Sequence, residues 1–407
     1  MSGDGKTMGL DTPQRLAVDA LLDDPKTRII VCCGAGGVGK TTTAAALGVR
    51  AAERGRKVVV LTIDPARRLA QSMGIDSLDN TPRRVDGVDG DGGELHAMML
   101  DMKRTFDEIV EAHADRERAR AILANPFYQS LSAGFAGTQE YMAMEKLGQL
   151  RAKDDWDLIV VDTPPSRSAL DFLDAPKRLG SFLDGKFIRV LMAPAKVGGR
   201  AGMKFLNVGM SMMTGTLSKL MGASLLKDVQ TFVAAMDTMF GGFRTRADAT
   251  FRLLQAPGTA FLVVAAPEPD ALREAAYFVE RLAAEKMPLA GLVLNRVHGS
   301  EARQLSAERA LAAAENLEEG GIVDQEPGKA GLRDAADDAD AMTAGLLRLH
   351  AEQMQVMVRE QRTRDRFTSL HPEVPVAEVA ALPGDVHDLA GLRAIGERLA
   401  AGLPAGA

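Results

Sequence analysis

Residues 29–43 read IIVCCGAGGVGKTTT, and the rest of the chain is organised around this stretch. An apolar, β-prone run from Ile29 to Cys33 breaks into glycines and then into a helix-forming run that begins at Thr41. Within it, Gly34-Ala35-Gly36-Gly37-Val38-Gly39-Lys40-Thr41 matches the phosphate-loop spacing G-x-x-x-x-G-K-[ST]. Glycines permit the backbone angles and the close approach that turn successive N–H groups toward one anion. The helix that follows adds the partial positive charge of its N-terminus. Gly36, Gly37, Val38, Gly39, Lys40, Thr41 and Thr42 are therefore the expected cradle of a nucleoside triphosphate. Lys40 would reach the β- and γ-phosphates, and the Thr41 hydroxyl would ligate Mg²⁺. A plain Gly-rich turn is the simpler alternative, but it leaves unexplained why strand, loop and helix fall in register.

Two glycines stand directly before Val38-Gly39-Lys40, as in the deviant phosphate loops of the signal-recognition, Min-type and arsenite-pump class of ATPases. In that class a second lysine usually precedes the glycine pair and reaches across a dimer to the partner's nucleotide. Ala35 holds that position here.

A chain of 407 residues exceeds one ordinary core, so one large α/β domain carrying a subdomain is expected. Aromatic residues make up 4% while methionine appears 20 times, which suits helices with adaptable apolar faces. The formal charge of −6 argues against nucleic acid or anionic lipid as the main partner. Cys32 and Cys33 are the two cysteines; as neighbours in one strand they cannot face each other across the pleat. They read as small buried residues in a reducing compartment. Without a signal peptide or a membrane-length apolar run, the expectation is a cytoplasmic protein with no stable membrane insertion.

Residues 1–27 are polar with one short amphipathic piece at 13–22 and read as a peripheral segment. Residues 57–63 (KVVVLTI) are nearly all apolar, as strands buried on both faces of a parallel sheet are. They deliver Asp64-Pro65-Ala66 to the sheet's carboxyl edge, where ligands bind in such folds. A carboxylate there could orient the attacking water; equally, it could cap a helix with Pro65 at its first position. Residues 94–100 read as a strand, 102–123 as one charged amphipathic helix, and 128–153 as one or two more. The segment Gly137-Thr138-Gln139-Glu140-Tyr141 within it fits either a surface beside the switch or ordinary helix packing.

Residues 157–161 (DLIVV) form another buried strand, closed by Asp162-Thr163-Pro164-Pro165. An acidic residue ending an apolar strand opposite a phosphate loop is the expected holder of Mg²⁺. Residues 180–251 then change character, with Met192, Met203, Met210, Met212, Met213, Met221, Met236 and Met239 among glycines, leucines and lysines. This is expected as an inserted helical subdomain at about 175–256, its methionines serving either a surface for varied apolar partners or a helical core. The sheet resumes at 259–266, a helix follows at 270–285, and 289–294 is the next strand, ending in Asn295. Residues 317–340 are acidic and glycine-containing and are expected to be a mobile loop; 341–366 read as a long amphipathic helix and 374–379 as a last strand.

With these pieces in place the chain resembles the arsenite-pump and tail-anchored-protein-targeting ATPase family from about residue 28 to 399. The resemblance rests on the loop at 34–42, on Thr62-Ile63-Asp64-Pro65-Ala66, on Asp162-Thr163-Pro164-Pro165, and on Pro267-Glu268, Asn295 and the loop from Pro383 to Leu389. It implies a doubly wound, mostly parallel sheet of the P-loop NTPase kind over residues 28–402, with Mg²⁺ and ATP as cofactor and substrate. Asp64 and Lys40 would be the catalytic pair, and Thr41 and Asp162 the metal side. Asn295 and the loop Pro383-Gly384-Asp385-Val386 look like adenine contacts, and Glu268 like a nucleotide contact near a dimer interface. Departures are specific. Ser166-Arg167-Ser168 replaces the family's usual residues after the second aspartate, and no cysteines stand where relatives bind arsenite or a dimer zinc. The implied partners are ATP and ADP, a homodimer or a related subunit carrying the lysine missing at Ala35, and hydrophobic polypeptide segments as cargo. A regulatory ATPase that switches a partner without cargo, and a small-molecule kinase of the same loop class, are the alternatives.

Overall fold

The computed structural model describes residues 14–401 except 65–67, 89–91, 127, 130–131, 133–137, 165–241, 243–244 and 324–329. Its centre is an eight-stranded sheet in the order β3-β4-β2-β5-β1-β6-β7-β8. The strands are β1 (Ile29–Cys33), β2 (Lys57–Thr62), β3 (Arg83–Arg84), β4 (Glu94–Met99), β5 (Leu158–Asp162), β6 (Thr259–Ala265), β7 (Leu289–Val297) and β8 (Val376–Ala380). Every neighbouring pair is parallel except β3 with β4. The continuous apolar runs are explained by burial on both faces: β1, β5 and β6 have no exposed position.

Helices cover the two faces. On one side lie α1 (Val18–Asp23), α2 (Lys40–Glu53) and α10 (Leu389–Ala401), packed on Ile30, Cys32, Val58, Val60, Leu158 and Val160. On the other lie α4 (Met102–His113), α5 (Arg116–Leu123), α6 (Thr138–Lys153) and α7 (Pro269–Ala284), packed on Val31, Cys33, Val59, Leu61, Ile159 and Val161. Alternation along β1 thus sends Cys32 and Cys33 to opposite cores, both as buried free thiols. The α3 helix (Arg68–Ser72) follows β2. Half of the buried residues of α2 are alanine, and a Cβ on Gly48 would stand 2.5 Å from Val60 Cγ2. Small side chains let this helix lie directly on the sheet, which fixes the loop at its N-terminus.

Three sequence expectations are corrected. Residues 16–22 are not peripheral: Leu16, Val18 and Leu22 are core residues, and the Leu16 amide donates to the Val376 carbonyl. Too few residues stand there for periodicity to reveal which face is buried. The expected helix at 102–123 is two helices, because Asp101 and Asp115 each cap a new N-terminus by accepting the amide three residues on. The expected mobile loop at 317–340 is mostly helix, formed by the end of α8 (Ala307–Val323) and the start of α9 (Ala330–Leu370). There the high helix propensity of Ala, Leu and Glu outweighs the acidic charge and paired glycines. Buried Ala310, Ala314, Ala344 and Ala351 allow α8 and α9 to pack closely, and Arg348 bonds Glu318 at 2.6 Å between them.

The Met-rich stretch from Met192 to Met239 lies outside the described residues. Beyond it, residues 245–255 are helical, and Arg246 there donates to Glu145 of α6 at 2.8 Å. Among the described residues no helix is long and apolar enough to cross a membrane.

Candidate nucleotide site

The loop after β1 leaves the sheet where neighbouring connections run in opposite directions, between β5 on one side and β6 on the other. Register sets the chemistry at this edge. Thr62 at the end of β2, Cys32 of β1 and Asp162 at the end of β5 stand level across three adjacent strands. Thr41, in the first turn of α2, donates its hydroxyl to Asp162 Oδ2 at 2.7 Å, and Thr62 donates to the same oxygen at 2.8 Å. Thr62 Oγ1 also accepts the Asp64 amide at 3.2 Å, so one hydroxyl joins both aspartates.

Asp162 is wholly buried, and its other carboxylate oxygen, Oδ1, has no hydrogen-bond partner. Burial raises its pKa to about 6 against the lowering effect of the two hydroxyls and Lys40. A buried carboxylate with one saturated and one open oxygen beside a threonine hydroxyl fits a hydrated divalent cation. No group of three His, Cys, Asp or Glu side chains that could hold a metal ion gathers among the described residues, so the donor set here is one carboxylate and a hydroxyl. That donor set suits Mg²⁺, which takes one or two protein ligands and keeps water and phosphate oxygens for the rest.

Lys40 is buried, and its ammonium donates to the Ala35 carbonyl at 2.7 Å. Desolvation pushes its pKa down, while the nearby Asp162 and Cys33 act in the opposite direction. The ammonium thus sits under its own loop, bonded to a neutral carbonyl that a phosphate oxygen could replace. Gly39 has a left-handed φ of 95°, and a Cβ there would stand 2.2 Å from Asn295 Nδ2. Only glycine meets both demands. Gly36 and Gly37 are exposed on the outer side of the loop, whereas Ala35 is packed in the core on the α2 side.

Asn295, near the end of β7, reaches this loop from the other flank and donates Nδ2 to the Val38 carbonyl at 2.9 Å. Its first role is therefore to hold the loop, and Oδ1 remains as an acceptor on the α2 side. Glu268 is exposed just past β6, as the residue before α7, and its carboxylate does not cap that helix. Pro383, Gly384 and Asp385 are exposed beyond β8, while Val386 packs on the α2-side core. Glu268 and Pro383–Val386 thus share the carboxyl edge with the loop, but the contacts that unite Thr41, Thr62, Asp64, Asp162, Lys40 and Asn295 do not extend to them.

Two residues in this constellation were given no role by the sequence. Thr62 carried a signal, as the hydroxyl closing an otherwise apolar strand. Gln139, whose amide reaches the Ile63 carbonyl at 3.0 Å, carried none beyond its place in an ambiguous segment.

A sequence model of the anion-transporting ATPase family matches residues 27–319. An ATPase GET3 of Podospora anserina is 25% identical over 308 residues, covering 74% of this chain and 83% of that protein. An ATPase get3 of Neurospora crassa is likewise 25% identical, over 72% of this chain and 81% of its own length. An ATPase GET3 of Malassezia globosa is 30% identical over 173 residues, and there the match spans 50% of the relative.

Proposed function

The chain belongs to the anion-transporting ATPase family, and on that premise we propose a Mg²⁺-dependent, dimeric, nucleotide-driven switch that carries hydrophobic polypeptide segments. The observation that carries the metal and phosphate chemistry is the Asp162 carboxylate. One of its oxygens is saturated by Thr41 and Thr62, and the other is buried and open beside the loop lysine. In this reading Thr41 and Asp162 would hold Mg²⁺. When bound, the ion would supply charge neutralisation for the phosphates.

The remaining work falls to the chain's own groups. Loop N–H groups from Gly36 to Thr42 and the N-terminus of α2 bind the phosphates. Lys40 exchanges the Ala35 carbonyl for the β- and γ-phosphate oxygens, and its charge follows the transferring phosphoryl group. Asp64 Oδ accepts a hydrogen bond from the attacking water and aligns it with the γ-phosphorus. Asn295, through Oδ1, accepts from the exocyclic amine of adenine while its Nδ2 keeps the loop in place. Pro383, Gly384, Asp385 and Val386 flank the base, and Glu268 borders the nucleotide on the dimer side.

Ala35 bears on the assembly. Its side chain is methyl only, and its carbonyl is taken by Lys40, so this position offers no cation to a second subunit. The favoured partner is therefore a related ATPase subunit that carries the lysine and completes this chain's site. The cargo reading draws on the methionine-rich composition of residues 180–251. Cytoplasmic residence goes with both.

The test is the pair Asp64→Asn and Lys40→Ala. Asp64→Asn should bind ATP as the parent does and lose about 100-fold or more in hydrolysis, the scale of a lost positioning or acid–base group. Lys40→Ala should weaken binding as well. Hydrolysis by Asp64→Asn at the parent rate would overturn the assignment.

A further inference from the structure

Asp64 follows β2 with no strand pairing of its own; besides the bond from its amide to Thr62 Oγ1, its position depends on what holds the backbone just before it. Two groups do. The Ile63 amide donates to the Asp162 carbonyl at 3.0 Å, which continues the β2–β5 ladder by one rung. The Ile63 carbonyl accepts the side-chain amide of Gln139 at 3.0 Å. The first contact fixes Ile63 to the sheet, and the second fixes the peptide that leads into Asp64.

Gln139 offers this bond from a firm base. It lies in the first turn of α6, whose next turns are buried at Tyr141, Met142, Met144 and Leu147. Tyr141 donates to Glu145 Oε2 at 3.2 Å, and Arg246 Nε donates to Glu145 Oε1 at 2.8 Å. Arg246 Nη1 also meets His113 Nε2 at 3.2 Å, at the end of α4. One residue further along α6, the buried Lys146 ammonium bonds Glu108 of α4 at 2.8 Å. Each pair has one buried partner, Lys146 or Glu145, so α6, α4 and helical residues 245–255 hold together as one block, joined to the last by the Glu145–Arg246 pair. On the far side of that pair the block carries the chain that follows the Met-rich stretch.

We infer that Gln139 is a positioning residue for hydrolysis: by holding the Ile63 carbonyl it sets the Asp64 carboxylate, and it ties that carboxylate to the helical block made by α6 and residues 245–255. The inference rests on the reading of Asp64 as the water-positioning group. It adds that the water-positioning carboxylate and helical residues 245–255 are referenced to the same helix. A displacement of α6 would reach the Asp64 carboxylate through the Gln139 amide.

The experiment is a double-mutant cycle on ATP hydrolysis by the full chain with Gln139→Ala, Gln139→Glu, Asp64→Asn and the doubles. Gln139→Glu keeps the shape of the side chain but turns a carboxylate toward the Ile63 carbonyl, so it serves if the alanine variant packs poorly. Each single Gln139 variant is expected to lower kcat about tenfold, the worth of one hydrogen bond, with KM for ATP within about twofold. In the Asp64→Asn background the same change should cost nothing further, because Gln139 acts through Asp64. Parental kcat in both Gln139 variants, with Asp64→Asn inactive, overturns the inference and leaves the Asp64 assignment standing. A tenfold loss that persists in the Asp64→Asn background overturns it too, since the effect would then be general. Parental hydrolysis by Asp64→Asn alone is the different result that removes the underlying reading.

Discussion

Thr41 Oγ1 and Asp162 Oδ2 stand 2.7 Å apart, joining the first turn of the loop helix to the end of a strand 121 residues later. The contact needs β1 and β5 to be neighbours in register, so it reports the fold and the chemistry together. It also leaves a buried charge, because Asp162 Oδ1 has no partner. Asp162→Asn should therefore separate stability from activity. Without metal above pH 7, removing a charge with a pKa raised to about 6 should stabilise the chain by roughly 2–3 kcal/mol. The same variant should lose the rise in Tm that Mg²⁺ with ATP gives the parent. Thermal melts with and without Mg²⁺ read both effects, and a destabilised variant that retains the full ligand shift would contradict the assignment.

Gly39 and Asn295 make a second pair with opposed expectations. Gly39→Ala places a methyl against Asn295 Nδ2 and a side chain at φ 95°, and should abolish measurable nucleotide binding. Asn295→Ala removes the obstacle but not the backbone strain, which costs on the order of 1–3 kcal/mol. The double variant should recover part of the affinity lost in Gly39→Ala. Nucleotide titration of all three checks this; no recovery would mean that backbone angle alone excludes alanine.

The N-terminal helix contributes a pH dependence. Arg50 of α2 forms a paired bond with Asp19 of α1 at 2.6 and 2.7 Å, and this bond holds the Asp19 carboxyl below its ordinary pKa. A depressed carboxylate pKa contributes stability that is present above the unfolded value, about 4. That stability is lost as pH falls through the folded value. Asp19→Asn should therefore be less stable than the parent at pH 7 and converge with it on acidification below about pH 4. Denaturant unfolding along a pH series measures the gap, and a gap constant with pH would show that the pair contributes shape and not charge.

Much of this was legible in the residues. The loop announced itself by glycine spacing, and Asp64 and Asp162 by the apolar strands they close, because parallel strands buried on both faces leave little else in the sequence. Thr62 and Gln139 were not assigned, since their roles depend on which strand and helix stand beside them. The burial of Leu16, Val18 and Leu22 is not legible, because the six residues of α1 and the short lead-in to them are too few to show a face. Residues 317–340 misled in the other direction, as acidic charge hid an alanine-rich helical pair. Asn295 reads as a contact for the base, and what the residues alone do not show is that its amide nitrogen holds the loop.

The Met-rich stretch yields its own test. If residues 180–251 capture apolar segments, limited proteolysis should cut there readily without nucleotide, and a non-hydrolysable ATP analogue should protect the stretch or move the cuts. Equal resistance in both states would instead support the methionines as core.

The claim that most needs direct measurement is that this chain's site is completed by a second, different subunit. The measurement is ATP turnover by the purified chain, alone and together with the partner recovered from native extract. With Ala35 in place of a trans-acting lysine, the chain alone should turn over slowly, and the partner should raise its rate by ~10³-fold or more, the scale of completion in trans. Full turnover by the isolated chain, with no stable partner recovered, would contradict the account.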